Sequence, residues 1–113
     1  MADPITWTAM HATVADITVP NNVRFIAPTN GYLRRLQVML HGAIATASET
    51  ISYRINNGTL VTAVVIPTAS SAEGTIGTAN LYVGVGQGDE IEIENDGAST
   101  GAVGGTITVT LSK

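Results

Sequence analysis

The sequence predicts an all-β chain: a single antiparallel β-sandwich, jelly-roll-like, with about eight strands. Three observations predict it. Apolar residues alternate with polar ones at period two, turn residues recur at short intervals, and no helical period or heptad is sustained. The closing stretch, Leu81 to Leu111, is the clearest case. Leu81, Val83 and Val85 share one face, as do Ile91 and Ile93, and then Ile107, Val109 and Leu111. The opposite faces carry Tyr82, then Glu90, Glu92 and Glu94, then Thr106, Thr108 and Thr110.

In chain order, residues 1–19 form an N-terminal arm or first strand, and residues 20–113 form the sandwich of one domain. Met1 to Pro4 read as a tail. Ile5 to Val19 has β composition, with a break expected near Ala15 and Asp16. Trp7 and Met10 are candidate contacts for an arm reaching a neighbour, and removal of Met1 to Met10 is expected to leave the β fold intact. Pro20-Asn21-Asn22 is a turn, Val23 to Ala27 a strand, and Pro28 to Gly31 a second turn. Tyr32 to His41 is a strand with Leu36, Val38 and Leu40 on one face. Leu33 has the other parity, so the Arg34-Arg35 pair marks an irregularity. Gly42 to Ser48 is assigned to loop rather than to one helical turn.

Asn57-Gly58 between two β-rich runs predicts a type I′ hairpin turn. That register pairs Ile55 with Leu60, Tyr53 with Thr62 and Ile51 with Val64. Val61, Ala63 and Val65 then form a second apolar face, which calls for cover by another layer or another subunit. Pro67 to Gly74 is a loop of small residues. Thr75 to Asn80 leads into the closing strands, where Gln87-Gly88-Asp89 as a hairpin turn sets Val85 against Ile91 and Val83 against Ile93.

Composition bounds the function. Only 12% of the 113 residues are charged while 44% are hydrophobic, and sixteen are Thr. So little charge leaves the surface to Thr, Ser, Asn and Ala, or to a partner. A net charge of −4 with five Lys plus Arg argues against nucleic acid as a partner. The absence of cysteine excludes disulfides and thiolate metal sites. No apolar stretch is long enough for a membrane-spanning helix, and the opening residues lack the pattern of a secretory signal, so synthesis in a cytoplasm is expected.

Motifs with chemical potential resolve mostly into turns. Gly97-Ala98-Ser99-Thr100-Gly101 has the letters of a nucleophile elbow, but a Gly-rich loop and a β-run follow where a helix is needed, so a flexible loop is the expectation. Gly84, Gly86 and Gly88 fit no phosphate-loop spacing. His11 and His41 have no third ligand nearby in sequence, and Asn57-Gly58-Thr59 is read as the hairpin turn rather than a sequon. Five of the nine acids, Asp89, Glu90, Glu92, Glu94 and Asp96, fall within eight residues. Only the strand ends, Asp89 or Asn95-Asp96, are placed to contribute to a cation site, because alternate strand positions line up in a row rather than converge. Two readings remain open for the row: a solvated face that protects a sheet edge, or carboxylates that meet Arg24, Arg34, Arg35 or Arg54 within the subunit or across an interface. No catalytic, cofactor or metal residue is assigned, and no enzymatic activity is expected.

Three stretches together resemble small structural proteins of tailed bacteriophages: Pro28 to Leu33 leading into a long strand, the Ile55 to Gly58 hairpin, and the late Gly88 to Ile93 strand. The resemblance runs from about Phe25 onward. It implies a capsid decoration or head-stabilisation protein, often trimeric, that sits on the major capsid protein of an assembled head in the virion. The expected interface residues are Trp7, Met10, Arg34, Arg35, Val61, Val65, Glu90, Glu92 and Glu94. The alternative is a carbohydrate-binding or receptor-binding jelly roll of a fibre or spike, for which Trp7, Tyr32, Tyr53 and Tyr82 are the available aromatic residues.

Overall fold

The computed structural model describes residues 7–67 and 71–113. The Met1 to Pro4 tail, the start of the first β-run and the centre of the Pro67 to Gly74 loop lie outside them. Eight strands follow one another: β1 (Trp7–Val14), β2 (Asn21–Ile26), β3 (Gly31–Leu40), β4 (Glu49–Ile55), β5 (Val61–Ile66), β6 (Ile76–Val85), β7 (Glu90–Asn95) and β8 (Gly105–Ser112). They form two four-stranded sheets, ordered β1-β8-β3-β6 and β2-β7-β4-β5, with every pairing antiparallel. Successive strands cross between the two sheets except at the β4–β5 hairpin, which is the jelly-roll arrangement of two interlocked Greek keys.

The alternating residues meet between the sheets. Leu33, Leu36, Val38 and Leu40 of β3, Ile107 and Val109 of β8, Ile51 of β4, and Ile91 and Ile93 of β7 are fully buried. Each such side chain contributes about 2 kcal/mol when removed from water, so the interior of this aromatic-poor chain rests on many aliphatic contacts. The chain breaks after Val14 as the parity predicts. Ile17 then fills the end of the core and donates its N–H to the Val103 carbonyl at 2.7 Å.

The expected irregularity at the arginine pair is a β-bulge. Leu33 pairs with Leu111 and Arg35 with Thr110, which leaves Arg34 as the extra residue against β8. The bulge resets parity, so Leu33 and Leu36 both face inward.

Four expectations need correction. First, Asn21 and Asn22 belong to β2 and pair with Asn95 and Glu94, because the Asn21 amide donates to the Asp16 and Val19 carbonyls and carries the turn itself. Second, the β4–β5 turn sits one residue early. Asn56 and Asn57 hold positive φ of 50° and 59°, and the Gly58 N–H donates to the Ile55 carbonyl at 2.9 Å. Glu90 causes the shift: its N–H donates to Asn56 Oδ1 at 2.8 Å and its carbonyl accepts the Asn56 N–H at 2.9 Å. Ile51 still pairs with Val64, but Ser52 pairs with Thr62 and Tyr53 with Val61, with a bulge at Ala63 absorbing the offset. Val61 and Val65 therefore do not share a face.

Third, β6 and β7 form no hairpin. β6 pairs with β3 in one sheet, and β7 lies between β2 and β4 in the other. Phe25 and Ile55, not Val85, oppose Ile91. The Gly86–Asp89 turn makes this crossing. The Asp89 carboxylate accepts the Gly86 N–H at 2.7 Å, which with Asn56 holds its pKa below the usual range. Fourth, Trp7–Val14 is no free arm. It pairs along its whole length with β8, so removal of Met1 to Met10 strips half of a sheet edge.

Candidate functional site

The two outer faces of the sandwich differ in chemistry. On the β2-β7-β4-β5 sheet, Glu90, Glu92 and Glu94 point outward from an interior strand, so the edge-protecting reading does not hold. The register sets Arg24 and Arg54 on either side of Glu92. Arg24 Nη2 lies 3.2 Å from Glu92 Oε1, Arg54 Nε contacts Glu92 Oε2, and Arg54 Nη2 lies 3.3 Å from Glu94 Oε1. Arg24 Nε stands 3.5 Å from Glu90 Oε1. The arginine stems roof the ladder, and Glu92 is fully buried although it faces away from the core. Hydrogen bonding from Arg54 holds the Glu92 pKa below its ordinary value, with Arg24 assisting. This face has spent its charges on itself, and Glu92 is not available to a partner.

Arg34 and Arg35, expected as acid partners, lie instead on the β1-β8-β3-β6 sheet. Its outer face is built from transverse rows: Trp7, Ser112, Tyr32 and Gly84; then Ala9, Thr110, Arg35 and Asn80; then His11, Thr108, Gln37 and Thr78; then Thr13, Thr106, Met39 and Ile76. His11 Nδ1 and Thr108 Oγ1 are 2.9 Å apart, as are His41 Nε2 and Thr106 Oγ1. The histidines thus flank a threonine ladder. At the other end, the bulge lifts Arg34 so that its guanidinium carbon lies 5.3 Å from the Trp7 ring centroid and 5.1 Å from that of Tyr82. Tyr82 stacks on Tyr32 at 4.4 Å with an 18° interplanar angle. Hydrogen bonding with Tyr32 raises the Tyr82 pKa above its ordinary value.

The remaining expected contact residues separate. Met10 is half-buried and packs against the core. Val61 lies on the core side of β5 at the open rim, and Val65 is on the outer side, 56% exposed.

The Gly97–Gly101 segment is pinned rather than flexible. Buried Glu49, at the start of β4, accepts the Gly97 N–H at 2.8 Å, the Ser99 N–H at 3.0 Å and the Asn95 amide at 3.4 Å. Asn95 donates further to the Ile17 and Val19 carbonyls, each at 2.7 Å. Ser99 is buried and its hydroxyl donates to the Ala45 carbonyl, while both histidines bond to threonines on another face. Burial pushes the Glu49 pKa up, and the N–H donors of the loop oppose it. Asp96 accepts the Thr50 and Ala98 N–H groups, so it too serves the loop. Among the described residues no group of three or more His, Asp or Glu side chains gathers as a metal set. Sequence reasoning overlooked Glu49, a single acid before a strand, and the Arg34–Tyr82 proximity, which only the sheet order creates.

No family model matches this chain, and none of the curated proteins matches it. Among solved structures, it is similar to a serine protease of Aeromonas sobria, with TM-score 0.55 and 12% identity over 98% of this chain and 27% of that one. The same protease bound to its chaperone gives TM-score 0.54 and 11% identity over 97% and 27%. A CBM35 from Cellvibrio japonicus Abf62 gives TM-score 0.45 and 25% identity over 83% and 64%. This chain therefore spans about a quarter of the protease (27%), and at 12% identity the likeness is one of fold alone.

Proposed function

We propose that the chain is a non-enzymatic viral structural protein: a capsid decoration module that self-associates as a trimer and binds the major capsid protein on the surface of an assembled head. One observation carries the self-association. β5 and β6 are the edge strands of the two sheets on the same side of the sandwich, and neither contains a charged residue or a proline. Gly77 of β6 sits against Val64 and Ile66 of β5, which brings the two edges together. Leu60, Val61, Val65 and Ile76 stand exposed there. Unpaired edges without charge are templates for another chain, and a protein working as a lone monomer normally guards them. The resemblance in the Pro28 to Leu33, Ile55 to Gly58 and Gly88 to Ile93 stretches supports the viral setting.

Light scattering tests the first half of this reading. The expected mass is three times the 11.6 kDa of one chain, and a Val65→Glu, Ile76→Glu double variant is expected to run as a folded monomer that no longer co-sediments with purified heads. A wild-type chain that stays monomeric at high concentration, or a trimer indifferent to both glutamates, would overturn it.

A further inference from the structure

The Trp7 end of the β1-β8-β3-β6 sheet gathers exposed aromatic rings around one arginine. Trp7 is 47% and Tyr82 67% exposed, and Arg34 lies between their rings. Arg34 Nη1 donates to Ser112 Oγ at 3.4 Å. All the ion pairs among the described residues belong to Arg24 and Arg54 on the opposite face, so this guanidinium is held in place by rings and a hydroxyl without a carboxylate. Gly84 leaves open space beside Tyr32, since a side chain there would meet nothing within 4 Å. The neighbouring row supplies a Thr110 hydroxyl and an Asn80 amide, while the aliphatic Met39 and Ile76 lie at the far end of the sheet.

We propose that Trp7, Arg34 and Tyr82, with Tyr32 as the supporting ring, bind an acidic saccharide, a sugar that carries a carboxylate. Flat, rigid aromatic surfaces take the C–H faces of a pyranose at little entropic cost. A guanidinium with a free edge accepts a carboxylate through paired N–H···O bonds. Hydroxyl and amide groups around them match the sugar's own hydroxyls. The groups around the rings are hydroxyls and an amide, with the aliphatic Met39 and Ile76 at the far end of the sheet, so the surroundings suit a hydroxyl-rich ligand. Arg34 is already positioned by Trp7, Tyr82 and Ser112, so little ordering remains to be done on binding. The site lies on the outer face of the sheet, with Tyr82 carried by β6 toward the end of that strand away from Ile76.

Trp7 is the only tryptophan of the chain, so its fluorescence reports on this site directly. Titration of the full chain with trigalacturonate and with sialyllactose is expected to give a saturable change in emission with at least one of them. The methyl-esterified or asialo counterpart should bind at least about tenfold more weakly, and Arg34→Gln should cost a similar factor. Tyr82→Ala is expected to weaken binding as well, while circular dichroism shows the fold retained. Arg35→Gln, one row away, should change affinity by less than about twofold. No saturable response to either acid sugar would overturn the proposal, as would equal losses in the two arginine variants. Binding of polyglutamate as strong as that of the saccharides would overturn it in favour of simple charge attraction.

Discussion

Gly97→Ala is expected to destabilise the fold by about 3 kcal/mol, through about 1–2 kcal/mol of left-handed backbone strain plus overpacking of a closed corner. Gly97 has φ +64°, and a Cβ there would fall inside van der Waals contact with the Pro20 ring and 2.7 Å from the Val19 carbonyl carbon. These are backbone and ring atoms, which cannot rotate away. For a domain of this size such a loss lowers Tm by roughly 12 °C, readable in a thermal melt. Gly88→Ala is the control. Its φ is +88° but its Cβ would meet nothing within 4 Å, so only the strain of about 1–2 kcal/mol applies. Equal losses for the two variants would show that the Pro20 contact has no weight.

Glu49→Ala should be nearly as damaging. It removes the acceptor of the buried Ser99 N–H and the part-buried Gly97 N–H, and each orphaned donor costs about 1–3 kcal/mol, for a total of about 3 kcal/mol by urea denaturation. Glu49→Gln keeps the volume but turns an amide N–H₂ toward one of those donors, so it is expected to recover only part of the loss. The pH dependence of Glu49 has an unusual sign for a carboxylate. Burial, its largest influence, raises the folded pKa above 4.5, so the folded state holds the proton more tightly than the unfolded chain. Its contribution is then fully present below the unfolded value and diminishes as pH rises through the folded one. Glu92 runs the other way. Hydrogen bonding from Arg54 depresses its folded pKa below 4.5, so its contribution is present above that value and is lost as pH falls through the folded pKa. Denaturation midpoints across the acid range should therefore show a shallower low-pH decline in Glu92→Gln, the part that remains belonging to Asp89. In Glu49→Gln the midpoints should cease to weaken toward neutral pH.

The strands were legible where their inward residues alternate, from Leu81 to Val85 and along β7 and β8, whereas the first half of β6 was read only as a lead-in. The Arg34 bulge was legible because Leu33 and Leu36 disagree in parity. The β4–β5 register was not, since a letter pair such as Asn57-Gly58 describes local preference, whereas the turn is set by Glu90 from a distant strand. The β6–β7 crossing was hidden for a related reason. A Gly-Asp turn serves equally within a sheet and between sheets, and only the pairing of β7 with β2 and β4 decides. The acidic row was visible as a row, but its partners were not separable from Arg34 and Arg35 until the sheet order placed Arg24 and Arg54 beside it. Glu49 left no signal, because nothing in one acid before a strand tells whether water or a loop backbone will surround it.

The pairing of β1 with β8 has a consequence for how the chain is made. Trp7 sits opposite Ser112, so β1 emerges long before β8 and cannot close its hydrogen bonds until β8 is in place. β8 is also the only bridge between β1 and β3 in that sheet. Until β8 emerges, half of the core is uncovered and the edge of β3 is bare, which leaves the nascent chain open to pairing with its siblings.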